Sequence, residues 1–230
     1  MTQSAHDFEN TFAHAWTLLA RNPIIVLPGI VVGIIGAVAE PAVQFIAAGA
    51  FPLAGDAAAF VVALALALAQ MAYVTGMAGG AWRHERTGLA DGWAALSHRA
   101  LPAAGAAAFL VIIGFCAAVL APVSFGITLL AYAVFCVYTM ASVVIGERAP
   151  IAGIVESAST ALANALPTIG VVALIAIIAA LGGWLGSLAD HVSDLGGALL
   201  SGLIQQIIVA YASLVVAGEY LKLTSSLSES

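Results

Sequence analysis

Six long apolar runs alternate with short polar breaks along the chain, at about Pro23–Gly49, Ala57–Gly79, Leu101–Ala121, Phe125–Val144, Pro167–Leu188 and Gly197–Ala217. At 1.5 Å per helical residue, each is long enough to cross roughly 30 Å of hydrocarbon. The pattern predicts an all-α fold: a polytopic six-helix transmembrane bundle forming a single integral membrane domain over residues 1–230. Glu40 and Pro41 interrupt the first run, which either ends near Ala39 or continues as a kinked or interfacial turn. Only the Pro122 region separates the third run from the fourth, so a tight antiparallel hairpin is expected there.

Ahead of three runs the apolar positions form a stripe. Phe8, Phe12, Trp16 and Leu19 recur at helical spacing opposite Asp7, Asn10, His14, Thr17 and Arg21. Leu89, Trp93, Leu96 and Ala100 oppose Asp91 and His98. Ile151, Val155, Ala158, Leu162 and Leu166 oppose Glu156, Thr160 and Asn164. A helix with one such apolar face lies in the membrane interface. Residues 5–21, 88–100 and 151–166 are therefore expected to form three cytoplasmic interfacial amphipathic helices. Each then meets a proline, Pro23, Pro102 or Pro167, at the first turn of a spanning helix.

Charge sets the orientation. Arg21 precedes the first run, Arg83, Arg86 and Arg99 lie between the second and third, Arg148 lies between the fourth and fifth, and Lys222 follows the sixth. The connections near 50–57, 121–125 and 188–196 carry no Lys or Arg. Cytoplasmic loops collect these residues. The expected location is the cell membrane, with both termini cytoplasmic. Asp7 and Glu9 stand where a signal peptide needs positive charge, so no cleavable signal peptide is expected.

Composition agrees with lipid as the main solvent. Of 230 residues, 63% are hydrophobic and 8% charged, against about 25% charged in soluble domains. A net charge of −6 without a basic stripe excludes nucleic acid as a partner.

Two of the three amphipathic segments share a local pattern. Gly88-Leu89 parallels Gly153-Ile154, Asp91 parallels Glu156, and Ala100-Leu101-Pro102 parallels Ala165-Leu166-Pro167. The chain reads as three units, each an interfacial helix plus a transmembrane hairpin, with convergence as the competing explanation.

Candidate chemistry is sparse. Polar groups inside spanning helices are costly and often functional. By depth counting, Gln205, Gln206 and Tyr132 lie near the midplane, and Gln70, Tyr73, Tyr138 and Tyr211 form a layer nearer the cytoplasm. These seven residues either line a polar pathway or make interhelical hydrogen bonds, and the second is the more ordinary role. Glu40, Glu147 and Glu219 are read at helix ends, which weakens a proton-relay reading. Asp190, His191 and Asp194 cluster in the last outer loop as solvated groups. The chain carries no HExxH, nucleophile elbow, P-loop or dinucleotide fingerprint. No catalytic residue, metal ligand or cofactor is assigned. Cys116 and Cys136 are read as small buried hydrophobes. The pairs Gly29/Gly33 and Gly182/Gly186 indicate close helix packing rather than dimerisation.

The Phe8–Pro23 opening with Trp16, and the stretch from Tyr138 through Gly146-Glu147 and Ala152–Ser159 to Leu162 and Pro167, resemble a broad family of six-helix bacterial and archaeal membrane proteins. That family includes the membrane domain found ahead of some glycerophosphodiester phosphodiesterases. The resemblance implies a six-helix bundle and supplies no catalytic residues. The expected function is that of a non-enzymatic multi-pass membrane protein, a scaffold or accessory subunit. Its expected partners are membrane lipids and other membrane subunits. The alternative is a small-solute transporter or channel using a Gln/Tyr-lined route.

Overall fold

Long runs rich in alanine, leucine and valine leave the backbone one way to satisfy its hydrogen bonds in lipid, the helix. The computed structural model describes residues 3–48, 52–190 and 194–228, and these contain helices and no strands. Helix α1 is Gln3–Arg21, followed by a 3-10 turn at Pro23–Val26. Then come α2 (Leu27–Ala48), α3 (Pro52–His84), α4 (Leu89–Leu120), α5 (Ile127–Cys136), α6 (Thr139–Val144), α7 (Pro150–Ala163), α8 (Ala165–Asp190) and α9 (Asp194–Ser228).

Six stretches are long and apolar enough to span a bilayer: Pro23–Ile46, Ala58–His84, Leu89–Leu120, Ile127–Val144, Ala165–Leu188 and Leu199–Ser225. Large apolar side chains such as Phe45, Leu101, Phe115 and Phe125 point outward. A water-soluble fold does not present such a surface. The architecture is that of a multi-pass membrane protein.

The core sits at one end. Fully buried side chains concentrate at Val74–Ala81 of α3, at Tyr138–Val143 around the start of α6, and at Leu214–Ala217 of α9. Ala15 and Leu18 of α1 join them. These segments lie beside Arg21, Arg83 and Lys222, so the packed end is the basic end. Toward the other end α2, α4, α8 and α9 expose most of their side chains.

Several expectations change. Residues 88–100 do not form a separate helix, because α4 runs unbroken from Leu89 through Pro102 to Leu120. Tight packing along α3 explains this. Gly92 lies against the Tyr73 ring, and Gly76 lies against Ala95 and the Asp91 backbone. Tyr73 Oη also donates to the Leu89 carbonyl at 2.6 Å. Docked this way, the segment continues along α3, and Pro102 removes only one ladder bond.

The other two amphipathic stretches are separate helices, α1 and α7. In α7 the apolar stripe of Ile151, Val155 and Leu162 faces outward, while Ser157 and Thr160 are buried against the bundle. Helix α2 continues through Glu40 and Pro41. Glu40 and Glu219 therefore lie within helices, not at their ends. The fourth run is broken after Cys136 and resumes at Thr139. Both cysteines are free thiols, and Cys116 is exposed rather than buried.

Two turns at the basic end share one conformation. Glu85 and Glu147 both adopt positive φ, 58° and 57°. Each forms an ion pair with an arginine closing an earlier amphipathic segment: Arg21–Glu85 at 3.0 Å and Arg99–Glu147 at 2.6 Å. Asp91 and Glu156, paired in the sequence pattern, have different roles. Asp91 accepts from Gly88 N–H and Thr87 Oγ1 at the start of α4. Glu156 sits mid-helix and reaches across to other elements.

Candidate functional site

The polar residues singled out along the spans are mostly paired locally. Gln70 Nε2 donates to Gln206 Oε1 at 2.6 Å, joining α3 to α9. Gly29 of α2 lies so close to this pair that a methyl there would collide with both amides. At Gly33, its partner in the small-residue motif, an added methyl would meet no neighbouring element within 4 Å. Tyr138 is fully buried, and its hydroxyl lies 3.4 Å from Thr168 Oγ1. Tyr211 Oη donates to the Phe12 carbonyl at 3.4 Å and stacks edge-on with Trp16. Tyr132 packs over Gly114 of α4. Gln205 is exposed. The seven residues thus occupy several separate places. Gln70 and Gln206 meet, and Tyr73, Tyr138 and Tyr211 each bond elsewhere. The other small-residue pair joins α8 to α9, with Gly182 against Ile208 and Gly186 against Ser201.

Two buried junctions were not singled out from the sequence. At the first, Ser157 Oγ donates to the Phe135 carbonyl at 2.7 Å and accepts from the Tyr138 N–H at 3.1 Å. This serine bridges the break between α5 and α6. One residue away, Glu156 Oε2 accepts from Ser142 Oγ at 2.6 Å and Arg148 Nε at 2.9 Å, and Oε1 accepts from Tyr220 Oη at 3.5 Å. The neighbouring carboxylate raises the Arg148 pKa above its ordinary value, chiefly through that hydrogen bond. The signal for this junction was the adjacent acid and serine, Glu156 and Ser157, midway along an amphipathic helix.

The second junction holds Glu219, only 2% exposed, with Oε1 lacking any hydrogen-bond partner. Buried Thr139 Oγ1 also lacks one. Glu219 follows Ile208 by eleven residues, three helical turns, so both share the α9 face that meets α8. Reading Glu219 as a helix-terminal residue hid this placement.

A cavity of about 480 Å³ lies between α3, α4, α5, α6, α8 and α9. Gln70, Met71, Leu110, Tyr132, Cys136 and Val209 are among its lining residues. It is mainly apolar, and Gln70 and Tyr132 are two of the few polar side chains on its wall. Neither Gln205, Tyr138 nor Tyr211 lines it. Among the described residues no three His, Cys, Asp or Glu side chains gather as a metal site. The trio Asp190, His191 and Asp194 lies outside the residues whose side chains are described.

The chain matches no protein-family model, no curated protein and no solved structure.

Proposed function

We propose that the protein is a non-enzymatic multi-pass protein of the cell membrane, a scaffold or accessory subunit with both termini in the cytoplasm. The observation that supports this reading is the pairing of several polar side chains within the spans, although Glu219 and Thr139 keep an unpaired oxygen there. Gln70 bonds Gln206, and Tyr73, Tyr138 and Tyr211 bond a carbonyl or a threonine. A polar group so engaged positions one helix on another and offers nothing to a passing solute. The segregation of Arg and Lys supports the orientation. The resemblance to the phosphodiesterase-linked membrane domain belongs to the same proposal, as does an interfacial position for α1 and α7.

A second reading, a small-solute transporter, draws on one observation: Gln70 and Tyr132 share a cavity wall. Gln70→Leu separates the two. A scaffold with this change should lose about 1 kcal/mol of stability, within the range for a membrane hydrogen bond, and keep its partners. A transporter should remain folded and lose flux in proteoliposomes. Co-purification after gentle detergent extraction supplies the partners. Wild-type proteoliposomes that accumulate a small solute, with no co-purifying subunit, would refute the scaffold reading.

A further inference from the structure

We propose that the cavity between α3, α4, α5, α6, α8 and α9 is a binding site for one acyl chain of a membrane lipid. The inference rests on the spanning arrangement and is independent of the scaffold reading. Every lining residue belongs to a candidate membrane span. Counting back from Arg83 along α3, Thr75 and Gln70 lie about 12 and 20 Å from the basic end. The cavity is therefore at hydrocarbon depth, where acyl chains are the surrounding solvent.

Its floor is packed core, formed by buried Met140 and Ala141. Its mouth follows from the α9 helix. Val209, Ala212, Ser213 and Val216 line the cavity. Gly202 and Gln205 continue the same stripe toward the opposite end, and both are exposed. The groove thus opens sideways to lipid on the side away from the basic residues.

Size and chemistry choose the occupant. A methylene takes up about as much space as a water molecule, about 30 Å³, so about 480 Å³ fits an alkyl chain of roughly sixteen carbons. A partner helix about 10 Å across occupies roughly 420 Å³ per turn, so barely one turn would fit. Apolar cavities stay dry, and Gln70 already donates to Gln206. Ala67, Ala133 and Ala212 keep the walls flat, as an extended chain requires.

The test uses the full chain in phosphatidylcholine vesicles doped with a lipid carrying a diazirine at the end of a sixteen-carbon chain. After illumination, adducts are mapped by peptide mass spectrometry. The expected result is adducts on residues 209–216 and 67–75, together with surface adducts near Ile112 and Phe115. Ala212→Phe and Ala67→Phe, each filling the cavity from a different helix, should abolish the first group and spare the second. A charged thiol reagent should leave Cys136 unmodified. Absence of adducts on 209–216 in the wild type would overturn the proposal. So would undiminished adducts in both variants, or rapid Cys136 modification, which would mark a water-filled space.

Discussion

Ser157→Ala tests how the fourth spanning run tolerates its break. The run stops as a helix at Cys136 and restarts at Thr139, and Ser157 of α7 holds both sides of the gap. It is fully buried, so water cannot replace its hydroxyl. Alanine removes two hydrogen bonds and strands the Tyr138 N–H, whose helical ladder is interrupted. A neutral hydrogen bond contributes about 0.5–1.5 kcal/mol net, but a stranded buried donor costs about 1–3 kcal/mol. Interhelical bonds in membranes average lower, about 0.6 kcal/mol. The stranded donor is the larger effect, and the expected loss is about 2 kcal/mol. That is roughly thirty-fold in the folded-to-unfolded ratio. Reversible unfolding in mixed micelles, by SDS titration or steric trapping, measures it. Ser159→Ala is the matched control, since Ser159 is exposed and bonds only the Glu156 carbonyl. A Ser157→Ala change within about 0.5 kcal/mol of wild type, the range of neutral surface substitutions, would refute the reasoning. It would mean that the backbone closes the gap without the serine.

Gly218→Ala should push the Trp82 ring off α9 and break its 2.7 Å bond to the Leu214 carbonyl. A loss of about 1–3 kcal/mol, as for overpacked cores, should appear as a lower melting midpoint. The Arg148–Glu156 pair should hold its arginine charge throughout neutral and moderately alkaline pH. Its folded pKa is raised, so the contribution is complete below the ordinary arginine value and is lost only as pH rises past the folded value. A stability difference between wild type and Arg148→Gln that vanished between neutral pH and about pH 10 would contradict this. In a background lacking Cys116 and Cys136, Val123→Cys should react with an impermeant maleimide added outside intact cells, and Arg86→Cys should not. The opposite labelling pattern would invert the orientation.

Helix number and the lipid-facing surface were legible because they are additive properties of long windows. Apolar composition over twenty residues forces a helix in hydrocarbon whatever its neighbours do. Helix boundaries were less so. Proline at 102 looks like a first-turn signal, yet Gly76, Tyr73 and Gly92 dock the preceding segment along α3 and the helix runs through. Nothing local in residues 88–100 records that contact. In α7 the amphipathic period was visible, but its polar side turned inward. Ser142, Arg148 and Tyr220, all outside α7, supply partners for Glu156 there. Gln70 and Gln206 were each noticed by depth, and their bond across 136 residues needed the fold. Glu219 was missed because a carboxylate near a run's end resembles an interfacial residue.

The concentration of buried side chains at the basic end divides responsibility for cohesion between protein and solvent. There, interlocking Tyr138, Leu214 and Ala81 hold the helices whatever surrounds them. At the far end contacts run between neighbouring helices, as at Gly182–Ile208 and Gly186–Ser201, most outward side chains are exposed, and the surrounding alkyl chains complete the lateral wall. The two ends should therefore answer to different variables. Exchanging a bilayer for micelles of another chain length should alter spacing between the distal portions of α2, of α4 and of the paired α8 and α9. The knot at the opposite pole should keep its geometry, like stems tied beneath a loose bouquet.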